Sequence, residues 1–139
     1  MRFLSIYKTE ETNQPPTLEH VTRMQELIEE GMKGGWLVST EGCLPSVKGA
    51  RVRRSNGKTT VTDGPFTESK ELVAGFWLWR VNSMKEAIDW MRRSPFREFP
   101  EGEVEIRPIF EAEDFGEAFT PELREQEARI MAEAAKLNR

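Results

Sequence analysis

Only one histidine is present, His20, in a chain with one cysteine, Cys43. An imidazole changes charge near neutral pH, so it is the first residue to consider for proton transfer. His20 stands four residues before Met24 and seven before Leu27, which places it on the edge of an apolar helical stripe. The second conspicuous group is Asp63, in Asp63-Gly64-Pro65-Phe66. Pro65 fixes its own φ and keeps Gly64 out of the α region, while Phe66 is a large apolar anchor. The four make a stiff corner that holds one carboxylate in a fixed direction. The same four residues also make a well-formed surface turn. Cys43 could be a reactive thiol, but there is no second histidine to activate it. With so few soft ligands, a structural zinc site is not expected. The acidic run Glu111, Glu113, Asp114 and Glu117 reads as a solvated connector, since a magnesium site would need a phosphate-binding loop beside it.

These groups must be carried by a single domain of ordinary size, since the chain has 139 residues. Residues 2–7 read as a strand. Thr17 is placed to cap a helix whose apolar positions are Leu18, Val21, Met24, Leu27, Ile28 and Met32. Gly31, Gly34 and Gly35 stop it. Trp36 to Ser39 form a second strand that closes at Gly42. Asn56-Gly57 is a strong two-residue hairpin signal and pairs Val52 with Val61. Leu72 to Val81 contains Phe76, Trp77, Leu78 and Trp79 without alternation, as in a strand covered on both faces. Ser83 and Glu86 form a capping box for a second helix. Val104 to Phe110 is a last strand, with Pro108 marking an edge. Thr120-Pro121 opens a C-terminal helix.

The order is strand, helix, strand, hairpin, strand, helix, strand. It predicts an α+β fold of the ferredoxin-like βαββαβ type with an inserted hairpin. Residues 1–110 form the domain. Residues 111–139 are an acidic-aromatic connector and a helix, expected to pack on the domain or on its dimer mate. Trp36, Phe76, Trp77 and Trp79 are more apolar surface than two helices are expected to hide, so a homodimer is expected. The net charge of −4 and pI near 5.2 give no bulk attraction to nucleic acid. Arg51, Arg53 and Arg54 cluster on the hairpin, which reads as a solvated face. The apolar runs are too short to span a membrane, and the N-terminal segment is too short for a signal peptide, so a cytoplasmic protein is expected.

The corner, followed by Thr67-Glu68-Ser69-Lys70-Glu71 and Gly75-Phe76-Trp77, resembles the DGPF-type YCII-related proteins. Those read DGPFAE-(S/T)-K-E ahead of a Gly-aromatic-aromatic strand. The likeness covers residues 1–110 and implies a ferredoxin-like fold that dimerises into an α+β barrel. Most members have no assigned reaction. A His–Asp pair is proposed as the active site in the shorter members, and one relative is a dehydrochlorinase acting on a chlorinated hydroxyquinol. Here His20, Arg23 and Leu27 match the His-x-x-Arg-x-x-x-Leu context of the helix histidine, and the Asp corresponds to Asp63. The resemblance thus implies His20 and Asp63 as a catalytic pair. An Asp on one ring nitrogen would fix the tautomer and leave the other nitrogen as a base. Such a lyase or isomerase, acting on a small cyclic or aromatic acid, needs no cofactor and no metal. Phe66, Phe76 and Trp77 could stack on that ligand, and Arg107 could hold its anionic group or pair with Glu105. The alternative is a non-catalytic dimeric module that binds a small ligand or serves a regulatory role associated with sigma-factor signalling.

Overall fold

The computed structural model describes residues 1–12, 14–67, 70–99 and 101–137. Glu68 and Ser69 of the family-like motif lie outside the described residues. Two compact units are present, Met1–Pro108 and Ile109–Arg139.

The first unit runs β1 (Arg2–Lys8), α1 (Leu18–Gly34), β2 (Leu37–Gly42), β3 (Ala50–Ser55), β4 (Lys58–Asp63), β5 (Val73–Arg80), α2 (Met84–Arg93) and β6 (Glu103–Pro108). Strands β2, β5, β1 and β6 form one sheet in that order, with every neighbouring pair antiparallel. This is the ferredoxin-like arrangement, with β3–β4 as a separate two-stranded arm. The α+β reading holds.

Local signals account for most of the elements. Thr17 Oγ1 accepts from the His20 N–H at 3.2 Å, and Gly35 ends α1 at φ 75°. Ser83 Oγ accepts from the Glu86 N–H at 3.1 Å. The Glu86 carboxylate reaches back to the N–H of Asn82, one residue before the cap itself, at 2.9 Å. Asn56 and Gly57 take φ 50° and 76°, which the tight turn between β3 and β4 requires, and Val52 does face Val61. Pro108 closes β6, an edge strand.

The sheet's helix-covered face holds the core. Trp79 is fully buried, Trp77 is 5% exposed, and both pack with Phe3, Leu27, Leu37, Ala87 and Met91. Trp36 stacks on Trp90 at 3.7 Å and on Trp79 at 5.7 Å. Two expectations are corrected here. Strand β5 does alternate: Gly75, Trp77 and Trp79 are buried while Ala74, Phe76 and Leu78 are half-buried. The tryptophans, moreover, are covered by the chain's own helices. Of the aromatics expected to need a second copy, only Phe76 points to the other face. There it lies opposite Ile6, and Leu78 lies opposite Leu4.

The arm is exposed along both strands. Its base is tied to the body by the Asp63–Phe66 corner. The Gly64 N–H donates to Gly49 O at 3.0 Å. The Phe66 N–H donates to Ser46 Oγ at 3.1 Å, and that hydroxyl donates to the Glu11 carboxylate at 2.9 Å. Ser46, in a short 3₁₀ turn (Ser46–Lys48), also donates its N–H to Glu11. The Arg51 guanidinium sits 4.1 Å over the Phe66 ring. The peptide bond between Gly64 and Pro65 is cis.

In the second unit, a 3₁₀ segment (Ala112–Ala118) leads to α3 (Pro121–Leu137). Phe115 contacts both Phe110 and Phe119, at 5.0 and 5.3 Å. Thr120 Oγ1 accepts from the Leu123 N–H, with Pro121 at the first helical position as expected. Among the described residues, no helix is long and apolar enough to cross a membrane.

Candidate functional site

His20 is in the first turn of α1, and Arg23 stands three residues later on the same side. Facing them is the 3₁₀ turn Pro95–Glu98 that follows α2. Ser94 sets this turn: its hydroxyl donates to Met91 O at 2.7 Å and accepts from the Phe96 N–H. The turn brings Glu98 to His20, with Oε2 3.5 Å from Nδ1. Arg23 holds the other carboxylate oxygen and pairs with Glu19 through its second nitrogen. The imidazole side chain is 18% exposed and that of Glu98 is 25% exposed.

Aromatic rings close the neighbourhood. His20 meets Phe99 edge-on at 5.0 Å, and Phe99 also lies 5.6 Å from Tyr7. Tyr7 in turn meets Phe96 edge-on at 5.3 Å. The Tyr7 hydroxyl is buried and has no hydrogen-bond partner among the described residues. Buried polar atoms are nearly always paired, which sets this hydroxyl apart from the rest of the domain. The residue just before β6 leaves little room: a Cβ at Gly102 would lie 2.9 Å from the Tyr7 ring and 3.2 Å from its oxygen.

The hydrogen bond from Arg23, aided by His20, holds the Glu98 carboxyl below its usual range, while partial burial works against this. The same contact raises Arg23. A depressed carboxyl contributes stability above its unfolded-state pKa, and that contribution is lost as pH falls through the lower, folded value. A carboxyl-carbon NMR titration is therefore expected to place the Glu98 midpoint below 4.5, the ordinary value, and Arg23→Gln to raise it. A midpoint unmoved by Arg23→Gln would show that the ion pair is not formed in solution.

Asp63 is elsewhere. It ends β4 opposite Ala50 and is exposed. No ion pair joins it to His20; the carboxylate at the imidazole is Glu98 instead. The reason is physical: α1 packs on β2 and on the Pro95–Glu98 turn, whereas the corner next to Asp63 is committed to Ser46 and Gly49. The four residues expected to touch a ligand are likewise dispersed. Trp77 is in the core, and Phe66 is under Arg51. Phe76 and Arg107 share the sheet face away from the helices, where Arg107 lies 3.5 Å from Glu105. Glu105 also pairs with Lys8 at 3.2 Å, and these cations lower its pKa, Lys8 most. Cys43 is exposed, just past β2. Among the described residues, no three His, Cys, Asp or Glu side chains are grouped to hold a metal ion.

Sequence reasoning missed Glu98 and Tyr7. The available signal was Phe96-Arg97-Glu98-Phe99, whose two aromatics are spaced by one 3₁₀ turn and flank the charges.

The family model of the YCII-related domain matches residues 1–113. The chain belongs to the YCII-related family. A curated relative, an uncharacterized protein of Rhizobium meliloti (strain 1021), is 36% identical over 78 residues, which is 56% of this chain. The match spans 63% of that relative's length. Among solved structures, the fold is similar to that of a 5-chloro-2-hydroxyhydroquinone dehydrochlorinase from Burkholderia phenoliruptrix AC1100, in complex with 2,5-dihydroxybenzoquinone. That likeness covers 82% of this chain and 99% of the other, at 16% identity and a TM-score of 0.41. The YCII-related domain thus takes in every residue of the His20 cluster, and its match ends a few residues beyond Pro108, where the first compact unit stops.

Proposed function

We propose that this YCII-related protein catalyses a cofactor-independent proton transfer on a small cyclic or aromatic acid, with His20 as the base and Glu98 in the role that Asp63 was expected to fill. The observation that carries this is the Glu98 carboxylate, held by Arg23 on one oxygen and turned to His20 Nδ1 with the other. A carboxylate there keeps the proton on Nδ1 and leaves Nε2 to accept one. At 3.5 Å the contact is looser than a working hydrogen bond, which is common in sites without substrate. In the reaction, Nε2 takes a proton from a carbon beside a carbonyl, and the electron pair moves onto the carbonyl oxygen. The enolate then expels a leaving group or is reprotonated by the imidazolium at another carbon.

The test is deuterium exchange at the acidic carbon of a panel of cyclic and aromatic keto acids, followed by NMR. The protein is expected to accelerate exchange for at least one member. His20→Gln should lower that rate by about 10²–10⁴-fold, the usual worth of a positioned base. Exchange no faster than in buffer across the panel, or full activity in His20→Gln, would end the proposal.

A second reading, a dimeric binding module, is supported by Leu4, Ile6, Phe76 and Leu78 on the sheet face away from the helices. A second copy laid on that face would bury them. Sedimentation at micromolar concentration is expected to give a dimer and Phe76→Asp a monomer; a wild-type monomer refutes it.

A further inference from the structure

Beside the His20 cluster, an open cleft between α1 and the Pro95–Glu98 turn has a volume of about 300 Å³. Its apolar surface comes from Leu27 and Pro95, both buried. The remaining lining is six charged side chains, three arginines and three glutamates. Four of them are engaged with each other. Arg23 is bonded to Glu98, and Arg93 lies 3.8 Å from Glu30 while its guanidinium stacks over Trp90. The other two are Glu26 on α1, whose charge also bears on Arg23, and Arg97 on the facing turn. Among the described residues, neither has an opposite charge within 4.0 Å.

We infer that this cleft binds a small zwitterion, its carboxylate on Arg97, its ammonium on Glu26 and its apolar body on Leu27 and Pro95. The charge balance argues for both signs at once. The lining is neutral as a set, so a simple anion would meet Arg97 but leave Glu26 with only the more distant Arg23, and a simple cation would meet Glu26 and leave Arg97 without a direct partner. A zwitterion pairs both. Arginine suits the carboxylate because its planar fork donates two parallel hydrogen bonds. The volume is at the low end of the range of small-molecule pockets, which fits a ligand of amino-acid size. Arg23 and Glu98 belong to both the cleft and the His20 cluster, so a ligand here is next to the proposed base. The inference rests on the proton-transfer reading for the ligand's fate, where it narrows the substrate to an amino-bearing acid, but not for its binding.

The experiment compares three probes of one shape by calorimetry at one pH: phenylalanine, 3-phenylpropionate and phenethylamine. Phenylalanine is expected to bind at least about tenfold more tightly than either partner, the equivalent of one added charge pair. Arg97→Gln should remove its advantage over phenethylamine, and Glu26→Gln its advantage over 3-phenylpropionate. Both sites are exposed, so folding is preserved. The inference is overturned if the probes bind within about twofold of one another, if none binds at about 10 mM, or if either cleft variant leaves phenylalanine binding intact. Zwitterion binding with no proton exchange in any keto or amino acid would sink the catalytic reading alone. Exchange of an acid lacking an ammonium group, with silent cleft variants, would sink this inference alone.

Discussion

Gly64→Ala is expected to cost about 3 kcal/mol of stability, the upper end for forcing an extra methyl group into a packed site. A Cβ at Gly64 would stand 1.7 Å from the carbonyl oxygen of Ser46 and 2.5 Å from its carbon. Both are backbone atoms, so no rotamer change relieves the overlap. The Ser46 turn cannot retreat without breaking its bonds to Glu11 and Phe66. The glycine is needed for close approach: its φ is not among the positive ones, so the left-handed argument does not apply. Gly49→Ala is the control, because its Cβ would be at an ordinary 3.5 Å from the same carbonyl. Urea unfolding should show a large drop in midpoint for Gly64→Ala and a shift of at most about 0.5–1 kcal/mol for Gly49→Ala. Equal midpoints would mean that the corner is not held as described.

Trp79→Ala should be more damaging still, at about 3–5 kcal/mol. Trp79 is wholly buried, stacked against Trp77 and Trp36, and its indole N–H donates to Ser5 Oγ at 2.7 Å. Truncation leaves a cavity and strands a hydroxyl that is itself fully buried. Trp79→Phe helps to separate the two effects, since it removes the donor while keeping most of the volume, for about 1–3 kcal/mol. A loss below about 1 kcal/mol for Trp79→Ala, read from the same unfolding curves, would place the residue outside the core.

Much of the fold was legible because its signals are local. Thr17, Ser83, Asn56-Gly57 and Thr120-Pro121 each act within a few residues of where they stand, through backbone groups that must be paired. Strand β5 was harder. Phe76, Trp77, Leu78 and Trp79 are all apolar, so a period of two cannot be seen in residue type; it is set by which face receives the helices. The site was harder again. Glu98 lies 78 positions after His20, and nothing in either residue's neighbourhood encodes that the Pro95–Glu98 turn folds onto α1. Asp63 drew attention because Gly64 and Pro65 make a visible corner. That corner serves the anchoring of the arm, through Ser46 and Glu11, and not the histidine.

The position of β1 has a consequence for the order of events on the ribosome. The strand made first sits in the interior of the sheet, with Arg2 beside Arg80 and Phe3 beside Pro108. Neither neighbour exists until well over half of the domain has been synthesised, and β2, which is made earlier, is separated from β1 by β5. No two strands of the main sheet can therefore pair before β5 has emerged. Until then Phe3 and Leu37 have no sheet to enter, and the nascent chain carries them uncovered. Closure by β6 comes last, joining the two ends of the domain through contacts about 100 residues apart, the kind of topology that slows folding.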